Sequence, residues 1–259
     1  MDTQDTSPGR RIQAVQTSCE ILDALRNTGG AGVSDLAAET GYSKATVHSH
    51  LATLADNEFV VKRGDTYEVS LKFVDFGEYT KQNVAIYELA EQEVKKLTAE
   101  TGEVCQFMVE EHGRGVYLHK FRGENAIHTA SYTGDRRDLH CTALGKAILS
   151  QLPDKRVEEI IDQRGLTKYT EKTITSRERL YDELETIREQ NVAFDDEETL
   201  EGLRCVAAPT TDRESNTYGA ISTSGPTSRF KSDRFREDLA EAVQRAANVI
   251  EVNATQVRR

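Results

Sequence analysis

Residues 33–70, VSDLAAETGYSKATVHSHLATLADNEFVVKRGDTYEVS, constrain the fold more than any other stretch of the chain. Val33, Leu36 and Ala37 mark the inner face of a short helix, and Gly41 ends it as a glycine just past a helix terminus does. Ser43 is placed to cap a second helix running to about Asp56. There Val47, Leu51 and Leu54 recur at the spacing of one buried stripe. The other side carries Ala45, Thr46, Ser49, Ala52 and Thr53, small enough for close approach to a groove, and no acid occurs between Glu39 and Asp56. Two β-branched runs come next, Phe59–Lys62 and Thr66–Ser70, joined by Arg63-Gly64-Asp65, a hairpin signal. Helix, glycine turn, capped helix and hairpin together predict a winged helix-turn-helix, a device that docks on double-stranded DNA.

Charge argues against that reading at first sight. The formal net charge is −11, and residues 1–80 hold 7 Lys and Arg against 12 Asp and Glu, a net of −5. Arginine exceeds lysine, 21 to 12, and tryptophan is absent. This resembles the acid-rich surfaces of proteins from salt-accumulating microbes, where net charge reports the solvent rather than the partner. Local charge then decides: Arg10 and Arg11 before the first helix, Lys44 at the start of the second helix of the motif, and Lys62 and Arg63 at the wing. DNA contacts are expected from Ser43, Lys44, Thr46 and Ser49, and backbone or minor-groove contacts from the arginines.

The remainder predicts an α+β chain in two domains: residues 10–70 for DNA, a linker helix over 71–83, and a second domain over 84–255. A first helix spans about Arg11 to Asn27, and the polar Lys81-Gln82-Asn83 suggests a break. After Gly102 the period changes to two, with strands expected over 103–110, 115–121 and 126–131. A helix is next in HCTALGKAILSQLP, buried on one side through Ala143, Leu144, Ala147, Ile148 and Leu152 and stopped by Pro153. Thr175 and Glu178 form a capping-box pattern, strands are expected over 205–209 and 218–224, and a last amphipathic helix carries Phe235, Leu239, Val243, Ala246 and Ile250. No apolar run approaches the roughly 18–20 residues that span a bilayer, and the polar N-terminus has no signal-peptide core. Four dispersed cysteines favour reduced thiols, hence a cytoplasmic protein without membrane partners.

Three stretches, GYSKATVHSHLATL, LHCTALGKAILSQLP and FDDEETLEGLRCVAAP with YGAISTSGP after it, resemble the IclR family of transcriptional regulators in the right order behind a winged helix. The resemblance implies a GAF-like effector-binding domain for a small carboxylic or aromatic acid, and assembly into homodimers or dimers of dimers. Carried over by position, the effector pocket would involve Ala143 and Leu144, then Asp195, Leu203 and Cys205, then Ser222 and Ser224, with Thr129 a further candidate. The chain departs from the family pattern where Ser49 replaces a frequent arginine and His50 a frequent leucine, which moves the expected base contacts toward Ser43, Lys44 and Thr46.

The pocket chemistry also reads directly from the residues. Ser222 and Ser224 are two apart on a strand, so both hydroxyls share a face, though ordinary strand hydroxyls would look the same. Residues 139–144 lead into a helix whose first N–H groups lack partners and whose dipole end is positive, a favourable seat for a carboxylate. Gly145 within that helix costs about 1 kcal/mol relative to alanine, which implies close packing or close ligand approach. Cys205 also fits a small core residue. Catalysis is disfavoured: His140 and Cys141 are chain neighbours whose side chains diverge, and no nucleophile elbow, phosphate loop or zinc-protease motif occurs. No cofactor is implied. The alternative to an acid-responsive regulator is a metal-responsive one using His112, His119, His128, His140, Cys105 and Cys141, although their spacing matches no recognised metal pattern.

Overall fold

The computed structural model describes residues 11–127, 131–212 and 216–257, so Arg10, His128 and Thr129 lie outside the described residues. The chain divides into two units, residues 1–83 and 84–259.

In the first unit α1 (Gln13–Thr28) ends on Gly29, and α2 (Val33–Thr40) ends on Gly41. Gly41 has φ 76°, a left-handed conformation that a residue without Cβ enters cheaply. In α3 (Lys44–Asp56) the Ser43 hydroxyl accepts the Thr46 amide at 3.1 Å, so the helix starts where the cap places it. Antiparallel β1 (Val60–Arg63) and β2 (Thr66–Val69) pair Val60 with Val69 and Arg63 with Thr66 around Gly64-Asp65. Ile21, Leu25, Leu36, Val47, Leu51, Leu54, Val60 and Tyr67 form one buried core. Then α4 (Lys72–Gln82) lays Phe73 and Phe76 against Phe59, with ring centroids 5.6 and 5.9 Å away. Leu71, 84% exposed, and Val74, 57% exposed, stay uncovered.

The second unit is a six-stranded antiparallel sheet between two helical layers. Its elements are α5 (Tyr87–Thr101), β3 (Val104–Glu111), β4 (Arg114–Arg122), β5 (Arg136–Arg137), α6 (Ala143–Gln151), α7 (Asp154–Arg164), α8 (Arg177–Gln190), β6 (Ala193–Asp196), β7 (Leu203–Thr211), β8 (Thr217–Pro226), a π-helical turn over Arg234–Asp238, and α9 (Leu239–Val257). The strand order is β5-β4-β3-β8-β7-β6. Alternation sends Cys105, Phe107, Val206 and Ile221 toward α5 and α9, and Met108, Tyr117, Ala207 and Ala220 toward α6, α7 and α8.

Four expectations need correction. No strand includes Ala126, Ile127 or Ser131; the edge of β4 is taken by Arg136–Arg137, paired with Gly115 and Val116. The chain turns away after β4 because Gly123 and Asn125 donate back to the carbonyls of Glu103 and Gly102. The cap of α8 is Ser176, which accepts from the Arg179 amide at 3.2 Å; the third helical position is then an arginine, so no reciprocal glutamate bond forms. Pro153 stops α6 but also opens α7, a helix absent from the sequence-based expectation. Finally, α6 is buried on every side from Ala143 to Ser150, Lys146 included, because it lies between the sheet and α8. An added Cβ at Gly145 would sit 2.1 Å from the Leu139 carbonyl oxygen, so close packing explains this glycine.

Candidate functional site

Two surfaces carry chemistry. On the first unit, Val47, Leu51 and Leu54 turn inward and leave Lys44, Ala45, His48, Ser49 and Ala52 exposed along α3. Ser43 and Thr46 share a hydroxyl–hydroxyl hydrogen bond of 2.8 Å, so each is partly committed to the helix start. Lys44 is exposed at that end and has no ion-pair partner among the described residues. The Ser49 hydroxyl donates to the Ala45 carbonyl at 3.0 Å, a back-bond that leaves its lone pairs outward. His50 faces the opposite way and bonds Ser18 of α1 at 2.8 Å, which removes it from the groove-facing side. At the wing, the Lys62 ammonium lies 5.6 Å from the Tyr67 ring centroid, and Arg63 Nε is held by Glu68 at 3.0 Å. Arg11 is exposed, and Arg10 is outside the described residues. His48 was not singled out from sequence; it borders a groove with Lys62, Thr66 and Asp35.

On the second unit a cavity of about 310 Å³ opens on the sheet face that meets α6. Ala143, Leu144, Asp195, Leu203, Cys205, Ser222 and Ser224, all named from sequence, line it together, whereas Thr129 is outside the described residues. The strands explain the convergence: Cys205 is in register with Asp195 on one side and Ser224 on the other, and Ser222 with Gln106. Both serine hydroxyls approach the Gln106 side-chain oxygen, at 3.5 and 3.3 Å. Gln106 was missed, although a polar residue inside the apolar run VCQFMV is a readable anomaly. Thr142 caps α6 by accepting the Gly145 amide at 2.9 Å, while Lys146 N takes the Thr142 carbonyl. The amides of Ala143 and Leu144 therefore remain as donors at the cavity wall.

Asp195, 1% exposed, does not offer an open charge to this cavity. One of its oxygens accepts the Glu198 amide at 2.7 Å and the other the Thr199 hydroxyl at 2.8 Å, while burial raises its pKa. It serves as the brace of the turn that carries Thr199 and Leu200 into the lining. The next residue in that turn, Glu198, meets the buried Lys146 ammonium, which also holds Glu183 at 2.9 Å. Burial of the thiols raises Cys205 strongly and pushes Cys141 up to about 12, so neither presents a thiolate.

The side chains weighed for metal or catalysis are dispersed. His119 Nε2 lies 2.8 Å from the Tyr87 carbonyl on the α5 side of the sheet, where Cys105 also lies, while His140 Nε2 lies 3.0 Å from the Thr167 carbonyl on the other side. His112 sits in the turn between β3 and β4. Among the described residues no group of three or more His, Cys, Asp or Glu could hold a metal ion.

Comparison with known proteins decides the family. Residues 14–64 match the model of the IclR helix-turn-helix domain, and residues 79–252 match that of the bacterial transcriptional regulator IclR C-terminal domain. The chain belongs to the IclR family of transcriptional regulators. It is 33% identical over 258 residues to a probable HTH-type transcriptional regulator ArcR of Halobacterium salinarum, covering 97% of this chain and 98% of that one. It is similar to the Thermotoga maritima IclR crystal structure, with TM-score 0.77 and 27% identity over 95% of this chain and 99% of the other. An IclR homologue from Microbacterium hydrocarbonoxydans, complexed with 4-hydroxybenzoate, shares the fold at TM-score 0.80 and 16% identity, covering 94% of this chain and 99% of that one. IclR-family relatives are transcriptional regulators, not enzymes. Among the described residues no helix is long and apolar enough to cross a membrane.

Proposed function

We propose that this IclR-family regulator binds a specific operator through residues 10–70 and that a small organic acid in the cavity of the second unit sets its affinity. The cavity carries the reading. The helix amides of Ala143 and Leu144, without a partner among the described residues, and the hydroxyls of Ser222 and Ser224 face the same space. A carboxylate there gains backbone donors at the positive end of α6, and Leu144 and Leu203 cover the apolar part of the ligand. The homologue that holds 4-hydroxybenzoate supports an organic acid of this size.

In this reading Ser43, Lys44 and Thr46 address bases with Ser49 on the same groove-facing side, while Arg10, Arg11, Lys62 and Arg63 position the phosphate backbone. The working unit is a cytoplasmic homodimer or dimer of dimers: the uncovered Leu71, just before α4, and Val74 within it need a partner surface, and pairing places two recognition helices on a palindromic or tandem operator. The acid-rich composition serves hydration in concentrated salt, a reading that the similarity to a protein of Halobacterium salinarum supports.

The test is calorimetry with an acid found by thermal-shift screening, with and without operator DNA. Ser222→Ala/Ser224→Ala removes two donors, each worth roughly 1.5–3 kcal/mol to a charged acceptor, so affinity falls at least about tenfold while the fold survives. Linkage requires acid and operator to shift each other's affinity equally, by about 1–3 kcal/mol. Undiminished acid binding in the double variant would place the effector elsewhere.

A further inference from the structure

Resting on the reading that the cavity takes an organic acid, we propose that Arg137 selects effectors with a second carboxylate, so that the preferred ligand class is a linear dicarboxylic acid. Arg137 lines the same cavity as Ser222 and Ser224 but from the opposite side, on β5 at the edge of the sheet. Its Cα partner is Gly115, whose missing side chain would project into Met108, so Arg137 stands on the face that meets α6. From β5 to β8 there are three inter-strand spacings, about 14 Å between backbones. A carboxylate seated on the Ala143 and Leu144 amides and the two serines is therefore out of reach of the guanidinium, and a second acidic group on a short chain closes the gap.

The donors at the Arg137 end are in excess. Of the five N–H donors of a guanidinium, one is committed among the described residues, to Asp135 at 2.7 Å. Asp135 itself divides its charge, since its other oxygen accepts the Arg136 amide at 2.9 Å. A second cation stands nearby: Lys120, in register with Gln106 on the cavity face of β4, donates to the carbonyl and hydroxyl of Ser131 at 2.5 and 2.6 Å. Burial, then Arg122 and Arg137, pull the Lys120 pKa down to about 8, against the opposing pull of Asp135. Arg137 and Lys120 disfavour each other's charge, and an anion placed between them relieves that repulsion. Between the two ends the Tyr117 hydroxyl lines the cavity without a hydrogen-bond partner among the described residues, available to a carbonyl or hydroxyl midway along the ligand. At the far wall the buried charge of Asp195 is braced by Thr199 and two amides and does not oppose this end.

Adipate and hexanoate, equal in chain length and different only at the second end, are the probes. Full-length protein in buffered molar KCl, which screens the net negative charge, is titrated with each by calorimetry. The wild type should bind adipate about tenfold or more tightly than hexanoate, the worth of one charge-assisted hydrogen bond. Arg137→Gln should lose that preference with hexanoate affinity unchanged, and Arg137→Lys should keep part of it. Equal binding of the two acids to the wild type, or a preference that survives Arg137→Gln, overturns the assignment while leaving the organic-acid reading intact. If neither adipate, hexanoate nor shorter monoacids and diacids bind, the organic-acid reading falls, and the assignment of Arg137 with it.

Discussion

Lys44 and Arg63 are both basic residues of the winged unit, yet they stand in opposite electrostatic situations. Arg63 is held by Glu68, whereas Lys44, in the first turn of α3, has no ion-pair partner among the described residues. Lys44→Ala is expected to cost about 1–3 kcal/mol of operator affinity and to relax preference at one base position, while Arg63→Ala weakens binding to all sequences evenly. In-vitro selection on both variants checks this, and full affinity with unchanged preference in Lys44→Ala would refute base reading by that residue. At this scale the sequence was legible where a residue's role is local. Ser43 is a cap because the amide it accepts, that of Thr46, lies only three positions along the chain, and the serine pair shares a face because strands alternate. Arg137 was not legible, since a two-residue edge strand has no periodicity to reveal it. Lys146 was not legible either, because nothing in GKAILS indicates that all sides of the helix are covered.

The turn after β6 and the helix α6 are joined by one buried ion cluster, in which Lys146 of α6 meets Glu198 of the turn and Glu183 of α8. One cation faces Glu198, Glu183 and the nearby Asp195, and the second Glu198 oxygen has no hydrogen-bond partner among the described residues. Burial first, with Asp195 and Glu183 adding to it against the pull of Lys146, raises the Glu198 carboxyl to about 7. The folded state thus holds this proton more tightly than the unfolded chain, so its stabilising effect is full below the unfolded value of about 4.3 and is lost as pH rises through about 7. The melting temperature of the second unit should accordingly fall from about pH 5 to about pH 8, and Glu198→Gln should flatten that decline. Scanning calorimetry against pH decides it, and an equal slope in the variant counts against Glu198 as the source. Among elements, long periodic helices and the wing hairpin could be read from sequence. The strand expected at 126–131 could not, because its alternation is overruled by which segment reaches the free edge of β4. Nor could α7, whose opening proline also reads as a stop for α6.

For the molecule as a whole, the sparse positive charge of the winged unit has a thermodynamic signature. Arg26, Arg63 and Lys81 are paired with acids and Lys72 is tied to the Asn57 carbonyl and the Phe59 ring, which leaves Arg11, Lys44 and Lys62 among its described residues. With Arg10 and Arg63 counted beside Arg11 and Lys62, for about four phosphate contacts per protomer, the slope of log K against log salt should be no steeper than about −4 per protomer, where a basic domain with roughly 6–10 contacts is steeper. Fluorescence anisotropy from dilute to molar KCl measures it, and a slope near −6 per protomer would contradict the charge reading. The strand order has a consequence of another kind. The centre of the sheet pairs β3 with β8, segments separated by about a hundred residues of chain, and both Gln106 and the serine pair sit at that seam. On the ribosome the winged unit has all its partners within the first third of the polypeptide and can fold early. The cavity cannot exist until β8 has emerged, since the long loop must close before its central pairing rewards it. On the proposed function, the ability to hold DNA is thus acquired during synthesis well before the ability to sense a ligand.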